Sequence, residues 1–171
     1  LILLIAVFMF LHVGAELSFG GWVYTYALKL KITDEAGASF LTSAYWGSLT
    51  IGRLIAVAIA VKMKPRLMLI TSLIGCLLAA ALLLVFNSSI TAAWIGTILL
   101  GLSIAPLVPV TFTFAGEHMD ITGRVAGWFV IGIGTGNMFF PWIVGQFFEK
   151  KGPLVLPLIN LLTFILALGL I

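Results

Sequence analysis

The chain has 171 residues, of which 62% are hydrophobic and only 9% charged, with a formal net charge of +3. A soluble domain carries roughly 25% charged residues and gives each helix a polar face, whereas the run from Leu67 to Phe86 holds no charge at all, so a water-soluble fold is excluded and the solvent for such segments is lipid. The Lys and Arg residues are scattered through short connections and one apolar segment without a basic stripe, and Cys76 is the only cysteine, which excludes nucleic acid as a partner and an internal disulfide or cysteine metal cluster.

Hydropathy divides the chain into six apolar segments of about 20 residues, the length that crosses a hydrocarbon core of roughly 30 Å. The expected spans are Leu1 to Leu28, Ala38 to Val61, Leu67 to Phe86, Ile90 to Phe114, Val125 to Phe148 and Leu154 to Ile171. The first begins and the last stops inside an apolar run, and both ends are expected to be cuts in a longer protein. No basic leader or cleavage site precedes the first run, which is also too long for a signal peptide.

The first span carries Glu16 at its middle, where an ionised carboxylate costs on the order of 3 kcal/mol or more, so it must face protein or water. His12 lies one turn earlier on the same face. Desolvation lets such a glutamate take a proton, and a neighbouring cation lets it stay charged. Proton carrier, sodium ligand, hydrogen-bond acceptor for a sugar and structural carboxylate are all open chemically, with His12 and Glu16 as the candidate ion-coupling pair. Gly20 and Gly21 follow, with Trp22, Tyr24 and Tyr26. A glycine pair is expected to loosen the helix. Trp22 and Tyr26 suit either a sugar-stacking wall or an interfacial belt.

On the second span Thr42, Trp46 and Arg53 fall within about 40° of one another on a helical wheel, with Tyr45 beside them. Arg53 sits roughly 12 Å inside the end marked by Lys62, a depth that demands a carboxylate or several carbonyls. Glu117 and Asp120, after span four, are expected to supply it, and with Arg124 they make a candidate gate. Pro106 and Pro109 interrupt span four and predict a kink there. The fifth span holds Gly127, Gly132, Gly134, Gly136 and Gly145 with Pro141, which predicts close packing, and Asn137, whose amide must bond to another helix or to a solute. The third and sixth spans are the most uniformly apolar and are expected to face lipid. Asn87-Ser88-Ser89 matches a glycosylation pattern but lies too tight against the membrane to serve.

Spans five and six each start 87 residues after spans two and three, and Lys150, Lys151 and Pro153 stand before span six as Lys62, Lys64 and Pro65 stand before span three. Six helices thus read as two triplets. An odd number of crossings inverts the second copy, the plan of many secondary transporters with a site near the midplane. Positive charges balance across the two sides, and the compact Lys62 to Arg66 cluster assigns its side to the cytoplasm.

Three stretches carry a resemblance. Gly14-Ala15-Glu16 with Gly20-Gly21-Trp22, Gly52-Arg53-Leu54 followed by Lys62-Met63-Lys64-Pro65-Arg66, and Gly123-Arg124-Val125-Ala126-Gly127 resemble helices seven, eight and eleven of the major facilitator superfamily, the first in the branch of sodium-dependent glucose transporters and fucose-proton symporters. The resemblance covers the whole chain as helices seven to twelve. It implies an all-α, polytopic membrane fold of two inverted three-helix repeats, forming the C-terminal half of a twelve-helix transporter. It also implies alternating access and a polar solute, a monosaccharide, held between this half and the N-terminal six-helix half of the same protein. Glu16, Trp22, Tyr26, Tyr45, Trp46 and Asn137 are then the candidate solute contacts. Partners are the solute, the bilayer and the other half; no cofactor is expected beyond a coupling sodium ion or proton, and the location is the plasma membrane. The usual acid in the loop after helix eight is missing from Lys62-Met63-Lys64-Pro65-Arg66, so the usual gate pairing does not carry over there. An uncoupled facilitator or drug or metabolite exporter on the same scaffold, and a non-transporting membrane scaffold, are the alternatives. No nucleophile and base or metal constellation suggests an enzyme, since His12 and Glu16 are two ligands at most.

Overall fold

A computed structural model describes residues 1–171 as helices joined by short connections, with no strand. The helices are α1 (Ile2–Lys29), α2 (Glu35–Ala60), α3 (Pro65–Val85), α4 (Ile90–Ile104), α5 (Leu107–Gly116), α6 (Gly123–Lys151) and α7 (Val155–Leu168). Five lengths of helix are long and apolar enough to cross a membrane, one of them α4 and α5 together. The protein is an integral, multi-pass membrane protein.

Local chemistry sets the boundaries. Asp34 accepts from the Gly37 N–H at 2.9 Å and starts α2 three residues before the apolar run predicts. Pro65 occupies the first turn of α3, where its missing N–H is harmless. Thr122 caps α6 at the Val125 N–H. Gly152 ends α6 at φ 88°, a left-handed conformation that favours glycine. The expected kink in span four is a full break, because α4 ends at Ile104 and α5 begins at Leu107. Neither Pro106 nor Pro109 has an N–H, so the carbonyls of Leu102 and Ala105 lose their helical donors. The sixth span is shorter than expected: α7 has 14 residues, about 21 Å of helix.

Under exchange of the triplets, α1 corresponds to α4 with α5, α2 to α6 and α3 to α7. The main contacts obey that exchange, although the packing of α1 on α2 has no comparable counterpart between α4 with α5 and α6. Helix α1 packs along α6 as α2 packs on α4, and α1 touches α7 as α3 touches α4, while α3 and α7 meet each other. Three crossings separate the triplets, so the second runs inverted. Helices α3 and α7 keep an apolar outer face, with Leu78 and Leu162 exposed, but turn Ser72, Cys76, Asn160 and Thr163 inward.

Two glycine seams bring the helices together. A Cβ on Gly132 or Gly136 would collide with the Ala6 or Phe10 carbonyl of α1, and one on Gly14 with the Phe140 ring of α6. On the other seam, a Cβ on Gly101 would meet the Ser48 hydroxyl and the Tyr45 carbonyl of α2, and one on Gly52 the Leu102 carbonyl at 2.9 Å. Backbone approach of this kind, rather than a hydrophobic effect that lipid abolishes, holds membrane helices together. Backbone atoms cannot swing aside. Gly136→Val is therefore expected to destabilise the protein by about 1–3 kcal/mol, while Gly134→Val, which meets nothing within 4 Å, leaves it unchanged; thermal unfolding in detergent measures both.

Candidate functional site: an ion pair beside an aromatic groove

Glu16 lies in mid-membrane on α1 and is 6% exposed. Its Oε1 accepts from Arg53 Nη2 of α2 at 3.3 Å, the chain's one close ion pair. The Arg53 side chain is 51% exposed, so the pair is anchored in protein at its acidic end and open at its basic end. The Tyr45 hydroxyl donates to the Glu16 backbone carbonyl at 3.0 Å, a second tie between the same two helices from about two turns earlier on α2. The expected partners of Arg53 do not meet it in this geometry. Glu117 and Asp120 are exposed in the connection between α5 and α6, where neither pairs with it. A long arginine side chain can reach back toward mid-membrane to an acid on the adjacent helix, and α2 lies against α1.

The aromatic residues sort into two groups. Tyr45 is wholly buried, with its ring against Phe19 at 5.0 Å and edge-on to Trp46 at 5.2 Å. Tyr26 is also buried and donates to the Leu83 carbonyl of α3 at 2.9 Å, so it pins α1 to α3. Trp22 fits against Gly145 and stacks near Phe148 of α6. Trp46 alone of the named rings is substantially open, at 38%. Its six-membered ring presses on Gly20, where a Cβ would collide with it, while adjacent Gly21 faces open space. The glycine pair does not loosen α1, which runs unbroken from Ile2 to Lys29; its first member makes room for the six-membered ring of the indole.

On the 100° spacing of a helix, Leu17, Gly21 and Tyr24 share the α1 face next to Gly20. Trp46, Thr50 and Arg53 share the facing stripe of α2. These residues are exposed or half-buried and border the open side of the α1 and α2 contact, the groove, where Arg53 brings the basic end of the ion pair. Tyr24 and Thr50 were not singled out from the sequence as site residues; only the packing of Trp46 on Gly20 shows which stripe of α1 stays open.

His12 does not join the groove. It is fully buried, its Nδ1 stands 2.7 Å from the Phe8 carbonyl and its Nε2 has no partner. A carbonyl can only accept, so Nδ1 carries the proton in this geometry. Asn137, half-buried on α6 beside Gly136, leaves Oδ1 without a partner. Pro141 supplies no N–H to the Asn137 carbonyl four residues earlier, so two acceptors of one residue lack donors within the helix. Arg124, Glu117 and Asp120 are exposed on the side of Lys62 to Arg66.

Inverted triplets, glycine seams and a charged pair at membrane depth define the class: a multi-pass membrane protein built of inverted three-helix repeats. Comparison with known proteins agrees. No family profile matches the chain. It is 34% identical over 145 residues to sodium-dependent glucose transporter 1 of Xenopus laevis, covering 84% of this chain and 30% of that protein. The human protein of that name is 32% identical over 145 residues, 85% of this chain and 28% of that one. Human major facilitator superfamily domain-containing protein 4A is 28% identical over 148 residues, 86% of this chain and 29% of the relative. A crystal structure of the POT family transporter PepTSo shares the fold with a TM-score of 0.86 at 19% identity, covering 99% of this chain and 36% of that one. The chain belongs to the major facilitator superfamily, and it spans about 30% of the length of the relatives it matches.

If the ion pair ties α1 to α2, Arg53→Ala and Glu16→Gln are coupled. A double-mutant cycle on thermal stability is expected to give about 0.5–3 kcal/mol of interaction between them, and Arg53→Ala with Glu117→Ala none.

Proposed function

We propose that the chain is the C-terminal half of a secondary active transporter that moves a small polar solute, a monosaccharide, by alternating access, with a sodium ion or a proton coupled through Glu16. Its partner is the N-terminal six-helix half, its solvent the bilayer and its location the plasma membrane. The observation that carries the proposal is the Glu16 and Arg53 pair at membrane depth, open at its basic end, with the exposed Trp46 on the same α2 stripe. The names of the sodium-dependent glucose transporters support the choice of solute and of a coupling ion.

The chemistry follows from charge. With Arg53 on Glu16 the pair is neutral, and neither group bears the full penalty of an isolated charge at membrane depth. A sodium ion or a proton that takes the carboxylate displaces the guanidinium, which is already half in the groove. The freed guanidinium offers five N–H donors to the hydroxyls of a solute lying on Trp46. Ion and solute then favour the same arrangement of the pair, the differential affinity that coupling requires. Arg124, Glu117 and Asp120 face the side of Lys62 to Arg66 and serve in this reading as a gate toward the other half.

Glu16→Gln keeps the shape and removes the charge. In proteoliposomes carrying the full-length protein, gradient-driven uptake of labelled sugar is expected to fail in Glu16→Gln while counterflow exchange persists. Normal gradient-driven uptake would end the coupling role; loss of folding yield with unchanged ion dependence would make Glu16 a structural carboxylate.

A further inference from the structure

We propose that the cleft between α2 and α3 is a binding site for one anionic phospholipid of the surrounding leaflet, with an acyl chain lodged in the cleft and the phosphate on Lys62 and Lys64. The site is separate from the ion pair and from Trp46, and it stands whatever solute the protein moves.

Helices α2 and α3 are consecutive, yet each packs on α4 and they make no comparable contact with each other. Two glycines set this arrangement. Gly52 brings α2 onto the Leu102 carbonyl of α4, and Gly75 brings α3 onto the Ser103 side chain, so α4 fixes both walls and becomes the floor between them. What remains is a cavity of about 300 Å³. Ile55 and Ile59 line its α2 wall and are exposed; Met68 and Thr71 line its α3 wall. The Thr71 hydroxyl donates to the Leu67 and Met68 carbonyls of its own helix at 3.0 and 3.1 Å, so it presents no free donor to the cleft. Along α2 the lining runs from Gly52 to Ile59, roughly 10 Å of depth. Helix α3 carries no charge from Leu67 to its end, so the cleft borders hydrocarbon. Left empty, its walls would forfeit dispersion contacts, and an acyl chain restores them.

The outer end of the cleft selects among lipids. Met63 lines that end, and Lys62 and Lys64 flank it in sequence, both exposed. Neither lysine has a carboxylate within ion-pair distance, because Glu16 with Arg53 is the chain's one close pair. Glu117 lines a separate cavity with Lys64 and Arg66 and pairs with neither. Arg66 donates to the Ile171 carbonyl at 3.0 Å, which leaves the two lysines for a headgroup. The cluster assigns this side to the cytoplasm, whose leaflet is the anionic one. A phosphate level with the lysines lets its chain descend past Met63 toward Pro106, at the break between α4 and α5.

Native mass spectrometry of the delipidated full-length protein, titrated with dioleoyl phosphatidylserine or dioleoyl phosphatidylcholine, tests the site. Wild type is expected to hold one phosphatidylserine on the order of tenfold more tightly than phosphatidylcholine. Lys62→Gln with Lys64→Gln is expected to remove that preference, and Lys150→Gln with Lys151→Gln, on the opposite side, to keep it. Thr71→Phe fills the cleft from α3 and Ile59→Phe fills it from α2; each is expected to weaken both lipids about tenfold at an unchanged thermal midpoint. Equal affinity of wild type for the two lipids overturns the inference, as does a preference that survives the double lysine substitution. Unchanged binding in both phenylalanine variants also overturns it, because the headgroup would then adsorb on the lysines with no chain in the cleft. Displacement of phosphatidylserine by an equal concentration of oleate would make the occupant a free fatty acid and overturn the phospholipid assignment.

Discussion

Glu16 is the charge around which the first two helices are arranged. A carboxylate at membrane depth costs on the order of 3 kcal/mol or more when alone, and the fold answers with a guanidinium from the next helix at 3.3 Å. That answer fixes the register of α1 against α2, because Arg53 must reach mid-membrane while Tyr45 meets the Glu16 carbonyl. With the register set, Trp46 falls opposite Gly20, and Gly21 is left without a neighbour. The site and the helix packing are consequences of one electrostatic demand.

The remaining architecture is a matter of how closely backbones approach. Gly132 and Gly136 let α6 lie on the Ala6 and Phe10 carbonyls of α1, and Gly52 and Gly101 mediate contact between α2 and α4. These two seams exchange under the triplet symmetry, so each inverted unit grips the other through its second helix. The break at Ala105 and Pro106 falls between α4 and α5, so the α2 and α4 seam lies with the half-helix that precedes the break.

Much of this fold can be read from the residues themselves. Apolar runs near 20 residues, the 87-residue offset and the proline pair in span four state the number of crossings, their inversion and the site of the break, because lipid tolerates few alternatives. Contacts between helices are less legible. Arg53 and Glu16 lie 37 residues apart, and proximity to one end of the membrane made Glu117 and Asp120 the obvious partners until the reach of an arginine was set against the packing of α1 on α2. His12 and Glu16 share a helical face by spacing alone, yet about 40° of rotation separates them, enough to bury one completely and leave the other at the groove. Tyr26 and Trp46 have similar chemistry in the sequence, and only the neighbour each meets makes one a pin and the other a surface. The two members of the Gly20-Gly21 pair are likewise indistinguishable until α2 is placed beside them.

The central claim is that the stripe bearing Trp46, Thr50 and Arg53 faces an aqueous solute path rather than lipid. Thiol accessibility tests it most directly, since native Cys76 is wholly buried and a cysteine at Thr50 reports the groove alone. In the full-length protein in membranes, Thr50→Cys is predicted to react with a water-soluble methanethiosulfonate and to be protected by the transported solute, while Leu78→Cys on the exposed face of α3 stays unreactive. Equal inertness of the two positions would place Thr50 against hydrocarbon and contradict the account.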